Sequence, residues 1–131
     1  MATKHTSPHQ LLSAEVAFGD TSPVTIFDIP ANTYVANVVL FVTTAWAGTS
    51  PTLDVGISGD ADGWVDNQDV TQGTTGPYKG TSGNGASLVT NGQLYTSATQ
   101  IIVTIGGTNL TAGACRVQLE YSPWNGLVTV T

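Results

Sequence analysis

The chain has 131 residues, which fits one domain of ordinary size. Only 9% of the residues are charged while 40% are apolar and 15 are glycine, a composition typical of strands and turns that excludes disorder of the whole chain. The formal net charge of −6 would repel a phosphate backbone, which argues against nucleic-acid binding.

The sequence also carries no membrane or secretion signal. No apolar run is long enough to span a bilayer, and no signal-peptide core follows the early lysine, so we expect a soluble protein made in the cytoplasm. A single cysteine excludes an intrachain disulfide, and Cys115, His5 and His9 are too few to hold zinc. We therefore expect no cofactor, and stability that comes from a packed core or from assembly.

The first ten residues are polar and show neither helical nor strand periodicity. We interpret residues 1–10 as a flexible N-terminal arm and residues 11–131 as a single β-sandwich domain. An arm of this length reaches about 30 Å when extended, far enough to lie across a neighbouring subunit. A plain disordered tail is the alternative interpretation.

Short apolar runs separated by turn residues follow the arm, as in a sandwich or a barrel. The clearest strand spans residues 35–44, where Ala36, Val38 and Leu40 share one face and Val35 and Val39 lie on the other. The other predicted strands are residues 24–27, 53–57, 94–95, 100–105, 114–122 and 127–131, with a further short strand at Trp64. The pattern predicts an all-β fold, a jelly-roll-like sandwich of about eight strands without long helices.

Alternating apolar positions predict the core, and glycine-rich segments predict the turns. Turns are expected at residues 58–63, 106–109 and 111–113, and a long exposed loop at residues 72–85. Cys115 alternates with apolar neighbours and is expected to be a buried, unreactive thiol. The predicted core residues are Leu40, Val55, Val103, Val117 and Leu119.

The sequence argues against an enzyme. Its two histidines, His5 and His9, lie in the arm, where nothing would hold an imidazole beside a nucleophile. The carboxylates crowd into one loop as Asp60, Asp62, Asp66 and Asp69, instead of being held at a fixed separation on rigid elements. That segment contains the start of a calcium loop, D-x-D-G, but it lacks the bidentate glutamate, so a plain turn is favoured and a Ca²⁺ site is the alternative.

Aromatic residues near predicted loops are the best candidates for binding. Trp46 and Trp124 have small or polar neighbours, which together with Tyr78 favours contact with another protein; sugar stacking and plain core packing are the alternatives. His5 and His9 join this candidate set because the arm is expected to dock on a partner. Trp64 follows the predicted turn and is expected at the edge of the core.

Six segments, taken in order, resemble a known family. They are IFDIPANT at residues 26–33, VTTAW at 42–46, LDVG at 53–56, DADGW at 60–64, LTAG at 110–113 and VQLEY at 117–121. In this order and spacing, residues 24–121 resemble the capsid decoration, or cement, proteins of tailed bacteriophages and prophages.

The resemblance implies a jelly-roll-type sandwich on the outer surface of an assembled head, without catalytic residues. The implied partners are the major capsid protein and further copies of the chain, as a trimer on local three-fold axes or, as second choice, a dimer on two-fold axes. Residues 1–10 and 123–131 match nothing in that family, so the mode of attachment stays open. The rival functions are a carbohydrate-binding module and a tail or fibre protein of the same virion.

Overall fold

The computed structural model of the chain describes residues 4–6, 10–123 and 128–130. Its strands are β1 (Lys4–Thr6), β2 (Gln10–Ala17), β3 (Val24–Ile29), β4 (Thr33–Ile57), β5 (Asp60–Val65), β6 (Gly76–Tyr78), β7 (Gln93–Tyr95), β8 (Thr99–Pro123) and β9 (Val128–Val130). Two 3₁₀ turns, Asn67–Asp69 and Ser82–Asn84, are the helical elements of these residues. The all-β prediction is confirmed. Neither helical turn approaches the length or apolarity of a membrane span.

Two strands of 25 residues each, β4 and β8, dominate the fold. They pair antiparallel from Thr33 opposite Pro123 to Ile57 opposite Ile101. A straight strand of this length would extend roughly 80 Å, whereas a compact chain of this size has a radius of gyration of roughly 14 Å. The pair must therefore fold back on itself.

The two strands fold back near their middle, where the pairing register shifts repeatedly. One shift lies between Val42 and Thr44, and three more follow before Thr52. Positive φ angles at Ser50 and Asn109 fall in the same stretch. Because such bulges bend and twist a strand, they turn the pair without ending it. We call residues 43–52 of β4 and 106–113 of β8 the bend.

The bend divides one hydrogen-bonded sheet into two facing layers. The front sheet contains β2, residues 114–123 of β8, residues 33–42 of β4, β6 and β7. The back sheet contains β3, residues 99–105 of β8, residues 53–57 of β4, and β5. Buried residues of both layers form a single hydrophobic cluster, as expected for a jelly-roll-like β-sandwich.

The predicted core is confirmed. Leu40, Val55, Val103, Val117 and Leu119 are each 0% exposed. Cys115 lies among them, and burial raises the pKa of its thiol to about 12, so the thiol stays protonated at neutral pH.

The predicted division of faces in residues 35–44 is wrong at one position. Val35 is buried on the same side as Val38, because the register shifts between Val35 and Asn37 and leaves Ala36 as an extra residue. One inserted residue reverses the side to which every earlier side chain points.

Three predicted turns are also corrected. Residues 106–109 and 111–113 lie inside β8, where their glycines form bulges instead of reversals. Of residues 58–63, only Ser58 and Gly59 form a turn, and β5 begins at Asp60. The predicted loop at residues 72–85 is interrupted by β6 and by the second 3₁₀ turn.

Two strands near the N-terminus were not predicted from the sequence. No strand was predicted over Gln10–Ala17, which forms β2, although Leu12, Ala14 and Val16 alternate inward along it. Lys4–Thr6 forms β1 within the segment interpreted as a flexible arm, and it pairs with Val128–Val130. The predicted terminal strand at residues 127–131 corresponds to β9, and its partner is β1 of the same chain.

Trp46 provides a test of how tightly the bend is packed. Its indole lies against Gly113, where a Cβ atom would overlap the ring and where φ is +142°. We predict that Gly113→Ala lowers the free energy of unfolding by roughly 2–4 kcal/mol through overpacking and backbone strain. Urea denaturation followed by tryptophan fluorescence measures this change.

Gly19→Ala is the matched control for that substitution. Nothing lies within 4 Å of the position that its Cβ would occupy, and its φ is not in the left-handed region. Its unfolding free energy should stay within about 0.5 kcal/mol of the wild type. Equal losses for the two variants would contradict the packing described around Trp46.

Candidate interaction surface

The two tryptophans inside the described sandwich are both core residues. Trp46 is 3% exposed, and its backbone N–H donates to the Gln72 carbonyl at 2.9 Å. Trp64 is 1% exposed and donates its indole N–H to the Tyr95 hydroxyl at 3.0 Å. Trp64 was expected at the edge of the core and is buried within it. Trp46 was expected to contact a partner, but its burial leaves almost none of its side chain available for such a contact. The two indoles therefore offer no platform for a sugar ring.

The other predicted contact residues do not form one cluster with Trp46. Tyr78 lies in β6, half-buried, and donates its hydroxyl to the Thr74 carbonyl at 2.8 Å. His5 lies in β1, opposite Thr129 in register. Trp124 and His9 lie outside the described residues.

The acidic segment has a structural role in this fold. Asp60 and Asp62 lie in β5, while Asp66 caps the first 3₁₀ turn by accepting the Gln68 N–H at 2.8 Å. Ser87 donates to the Asp60 carboxylate. The described residues contain no group of three or more histidine, cysteine or acidic side chains arranged to hold a metal ion. A plain turn was expected here, but Asp60–Val65 forms a strand, and Asp66 caps the 3₁₀ turn that follows it.

Asp69 ties the two 3₁₀ turns together. Its carboxylate accepts from the Asn84 amide at 2.7 Å, from the Thr81 hydroxyl at 2.8 Å and from the Thr81 N–H at 3.1 Å. Although burial acts to raise the pKa of Asp69, these hydrogen bonds outweigh it and hold the pKa below its ordinary value of 3.8.

Asp54 and Asp62 behave in the opposite way. Burial raises the pKa of both carboxyls, and the negative charge of Asp66 adds to the shift. For Asp62, hydrogen bonding with Asp60 and Asp66 raises the pKa further. The carboxylates at this end of the back sheet therefore repel one another at neutral pH.

The depressions found among the described residues are small. Two depressions among the described residues have volumes of about 180 and 40 Å³. Pockets for small molecules measure about 300–1,000 Å³, so both depressions are small for that purpose. The smaller one lies on the outer face of the front sheet, beside Leu11 and Val39.

The outer faces of the two sheets differ in chemistry. The front sheet exposes Leu11, at 61%, and Leu94, at 36%, and its outward row also contains Val39 and Phe41, both half-buried. The back sheet presents polar residues there, among them Asp28, which accepts from the Gln100 amide at 3.0 Å. A large exposed leucine on one face favours that face for contact with another protein.

Arg116 lies on the front outer face, in β8 between β2 and β4. Its guanidinium carbon is 4.9 Å from the centroid of the Phe41 ring, a cation–π contact. Its Nε atom is buried and has no hydrogen-bond partner within the described part of the chain. Arginine is one of the residue types enriched among the hot spots of protein interfaces.

The bend is exposed and free of charge. Residues 43–50 are all exposed except Trp46, and residues 107–109 and 111 are exposed on the facing strand. No charged residue occurs at 43–52 or 106–113, whereas five of the nine acidic residues lie between positions 54 and 69. Depletion of charge is typical of the centre of a protein interface.

Comparison with solved structures identifies chains of the same fold. A chain in the structure of the cyanophage Pam1 capsid asymmetric unit superposes with a TM-score of 0.64 and 22% identity, covering 93% of this chain and 91% of that one. A chain in the acidic stable capsid structure of Helicobacter pylori bacteriophage KHP30 superposes with a TM-score of 0.66 and 14% identity, covering 99% of both chains. At these identities the likeness establishes a shared fold along nearly the whole chain.

Sequence comparison adds nothing to this likeness, because no protein-family model and no curated protein matches the chain.

Asp69 generates a prediction about stability and pH. Because the pKa of its carboxyl is lowered by folding, the ionised form stabilises the protein above the ordinary value of 3.8, and this contribution is lost as the pH falls through the folded-state pKa. We expect Asp69→Ala to lower stability by about 1 kcal/mol at pH 7, a modest loss because solvent screens the site. Thermal denaturation of the wild type and of Asp69→Ala at pH 7 and at pH 3 measures the stability difference between them at each pH.

Asp62→Asn is the companion variant with the opposite sign. Because folding raises the pKa of Asp62, its ionised form destabilises the protein at neutral pH. We expect this variant to raise the melting temperature at pH 7 and to lose that advantage as the pH falls below the raised pKa. A lower melting temperature at pH 7 would show that the described repulsion is absent.

Proposed function

We propose that this chain is a non-catalytic structural protein of a phage virion that binds the outer surface of the capsid and bridges major capsid protein subunits. The fold likeness to chains of two phage capsid structures carries the proposal, because it extends over 91% and 99% of those chains. The resemblance of residues 24–121 to decoration proteins supports the same role. Its location would be the outer capsid surface, after synthesis in the host cytoplasm.

The bend is the surface that we assign to the shell. It is exposed, uncharged and rich in threonine, alanine and glycine, so docking would desolvate no ionised side chain of the bend itself. The acidic end of the back sheet, from Asp54 to Asp69, would stay hydrated. Each contact needs to contribute only a modest free energy, because a symmetric shell repeats it many times.

Association of copies belongs to the same proposal. The resemblance favours a trimer around local three-fold axes, with a dimer across two-fold axes as the second choice. Residues 1–10 would add a contact along a neighbouring subunit while Lys4–Thr6 keeps its pairing with Val128–Val130, and Tyr78, Trp124, His5 and His9 stay candidates for partner contact.

A carbohydrate-binding function is the weaker candidate. It would need aromatic rings open to solvent, and the indoles of Trp46 and Trp64 are 3% and 1% exposed. A glycan array with the wild-type protein tests it directly, since specific binding would favour this function over the structural one. A position in the tail or fibre is distinguished by locating the protein on whole particles.

Binding to purified heads that lack the protein tests the shell contact. Thr49 and Thr108 are exposed and opposite each other in the bend, so Thr49→Glu with Thr108→Glu places two negative charges at the proposed contact. We expect the affinity for heads, measured from bound and free protein after gradient sedimentation, to fall about tenfold, as for a loss of roughly 1.4 kcal/mol per copy.

Thr25→Glu is the control, because Thr25 is exposed on the outer face of the back sheet. It should bind heads as the wild type does. Equal binding by all three proteins would remove the bend from the contact, and no binding by the wild type would overturn the proposed function.

A further inference from the structure

Strand β2 forms a free edge of the front sheet. It pairs with β8 on one side, from Gln10 opposite Tyr121 to Ala17 opposite Ala114, and it ends the strand order of the sheet. Among the described residues no second strand pairs with it. Leu11, Ser13 and Glu15 are exposed on its outer face.

The hydrogen bonds at the end of β2 show which backbone groups face that free edge. Phe18 donates its N–H to the Gly113 carbonyl of β8 at 3.0 Å, so even-numbered residues bond to β8. The Ala17 N–H instead donates to the Asp20 carboxylate at 2.9 Å, and the Ala17 carbonyl accepts from the Asp20 N–H at 3.0 Å. Because successive residues of a strand point their N–H and C=O groups to opposite sides, odd-numbered residues face the edge.

Three residues therefore present donors and acceptors that no other described residue uses. The groups of Ala17 are occupied by Asp20, which leaves those of Leu11, Ser13 and Glu15. These residues are evenly spaced, with Ser13 at the centre. An antiparallel strand of the same sequence, turned about an axis through Ser13, presents the same three groups in the matching positions.

We propose that two copies of this chain pair antiparallel through β2, with Ser13 opposite Ser13 of the second copy across a two-fold axis. Leu11 of each copy then lies opposite Glu15 of the other, and all three free residues form hydrogen-bonded pairs. The front sheets of the two copies become one continuous sheet. Between a trimer on three-fold axes and a dimer on two-fold axes, the geometry of this edge supports the dimer.

Charge and side-chain chemistry fit a second copy as the occupant. Glu15 is the only charged residue of β2, and in this register it faces Leu11 of the second copy and not another carboxylate. The two glutamates stand four residues apart along the strands, roughly 13 Å, which exceeds the screening length of about 8–10 Å at physiological ionic strength. Pairing also covers the edge beside Leu11, which is 61% exposed in the single chain.

Engineered cysteines test the register. Opposite residues of a hydrogen-bonded antiparallel pair have Cα atoms about 5.5 Å apart, within the range of a disulfide. Ser13→Cys should therefore form a covalent dimer under mild oxidation, while the buried Cys115 stays reduced.

Leu11→Cys is the matched control because it is on the same strand and the same face. Its copy would be roughly 13 Å away, too far for a disulfide. We expect Ser13→Cys to crosslink at least about tenfold faster, since pairing raises the effective thiol concentration. Equal rates for the two variants, or no crosslinking of Ser13→Cys, would overturn the proposal.

Ser13→Pro provides a second test that leaves the fold intact. The Ser13 N–H faces the free edge, so proline removes a donor needed for pairing but none used by β8. Light scattering at micromolar concentration should give a dimer for the wild type and a monomer for Ser13→Pro, with circular dichroism unchanged.

Further measurements distinguish a second copy of the chain from a capsid strand as the partner of this edge. A wild-type protein that stays monomeric at all concentrations overturns the dimer. If that monomer binds heads and Ser13→Pro does not, the edge pairs with a capsid strand instead of a second copy. Because the dimer is measured in solution without heads, its failure is distinct from failure of the proposed virion role.

Discussion

The backbone pairing of β4 with β8 is the interaction on which the rest of the structure depends. Each strand has 25 residues, and each passes through both sheets, so one ladder of hydrogen bonds holds the front and back layers together. β2 and β3 attach to β8, whereas β5, β6 and β7 attach to β4. Every strand of the sandwich therefore takes its position from this pair, and the bend decides how the two layers face each other.

The apolar residues at every second position were sufficient to predict the fold class and the core, because burial of alternate residues is a local property of a strand. The continuity of β4 and β8 was not predictable in this way. Residues 106–113 contain glycine and asparagine, which favour turns, and only the facing strand makes them bulges. Trp46 was misinterpreted for the same reason, since its neighbours are small and polar while the residue that covers it, Gly113, is distant in sequence.

The candidate site was harder to predict than the fold, because surfaces depend on which faces remain uncovered. The sequence pointed to aromatic side chains, yet two of the three tryptophans are buried. The structure points instead to three surfaces: the uncharged bend, the outer face around Arg116, and the free edge of β2. The lack of charge at residues 43–52 and 106–113 is visible in the sequence, but only pairing across the bend brings the two segments into one surface.

Electron microscopy of intact particles that contain this protein would locate the chain and its neighbours together, and so show whether the sandwich lies on the outer surface of the shell. We expect sandwich-shaped density on the outside of the shell, with the bend against capsid subunits and the acidic residues of the back sheet in solvent. Density confined to the tail, or inside the shell wall as its building subunit, would contradict it.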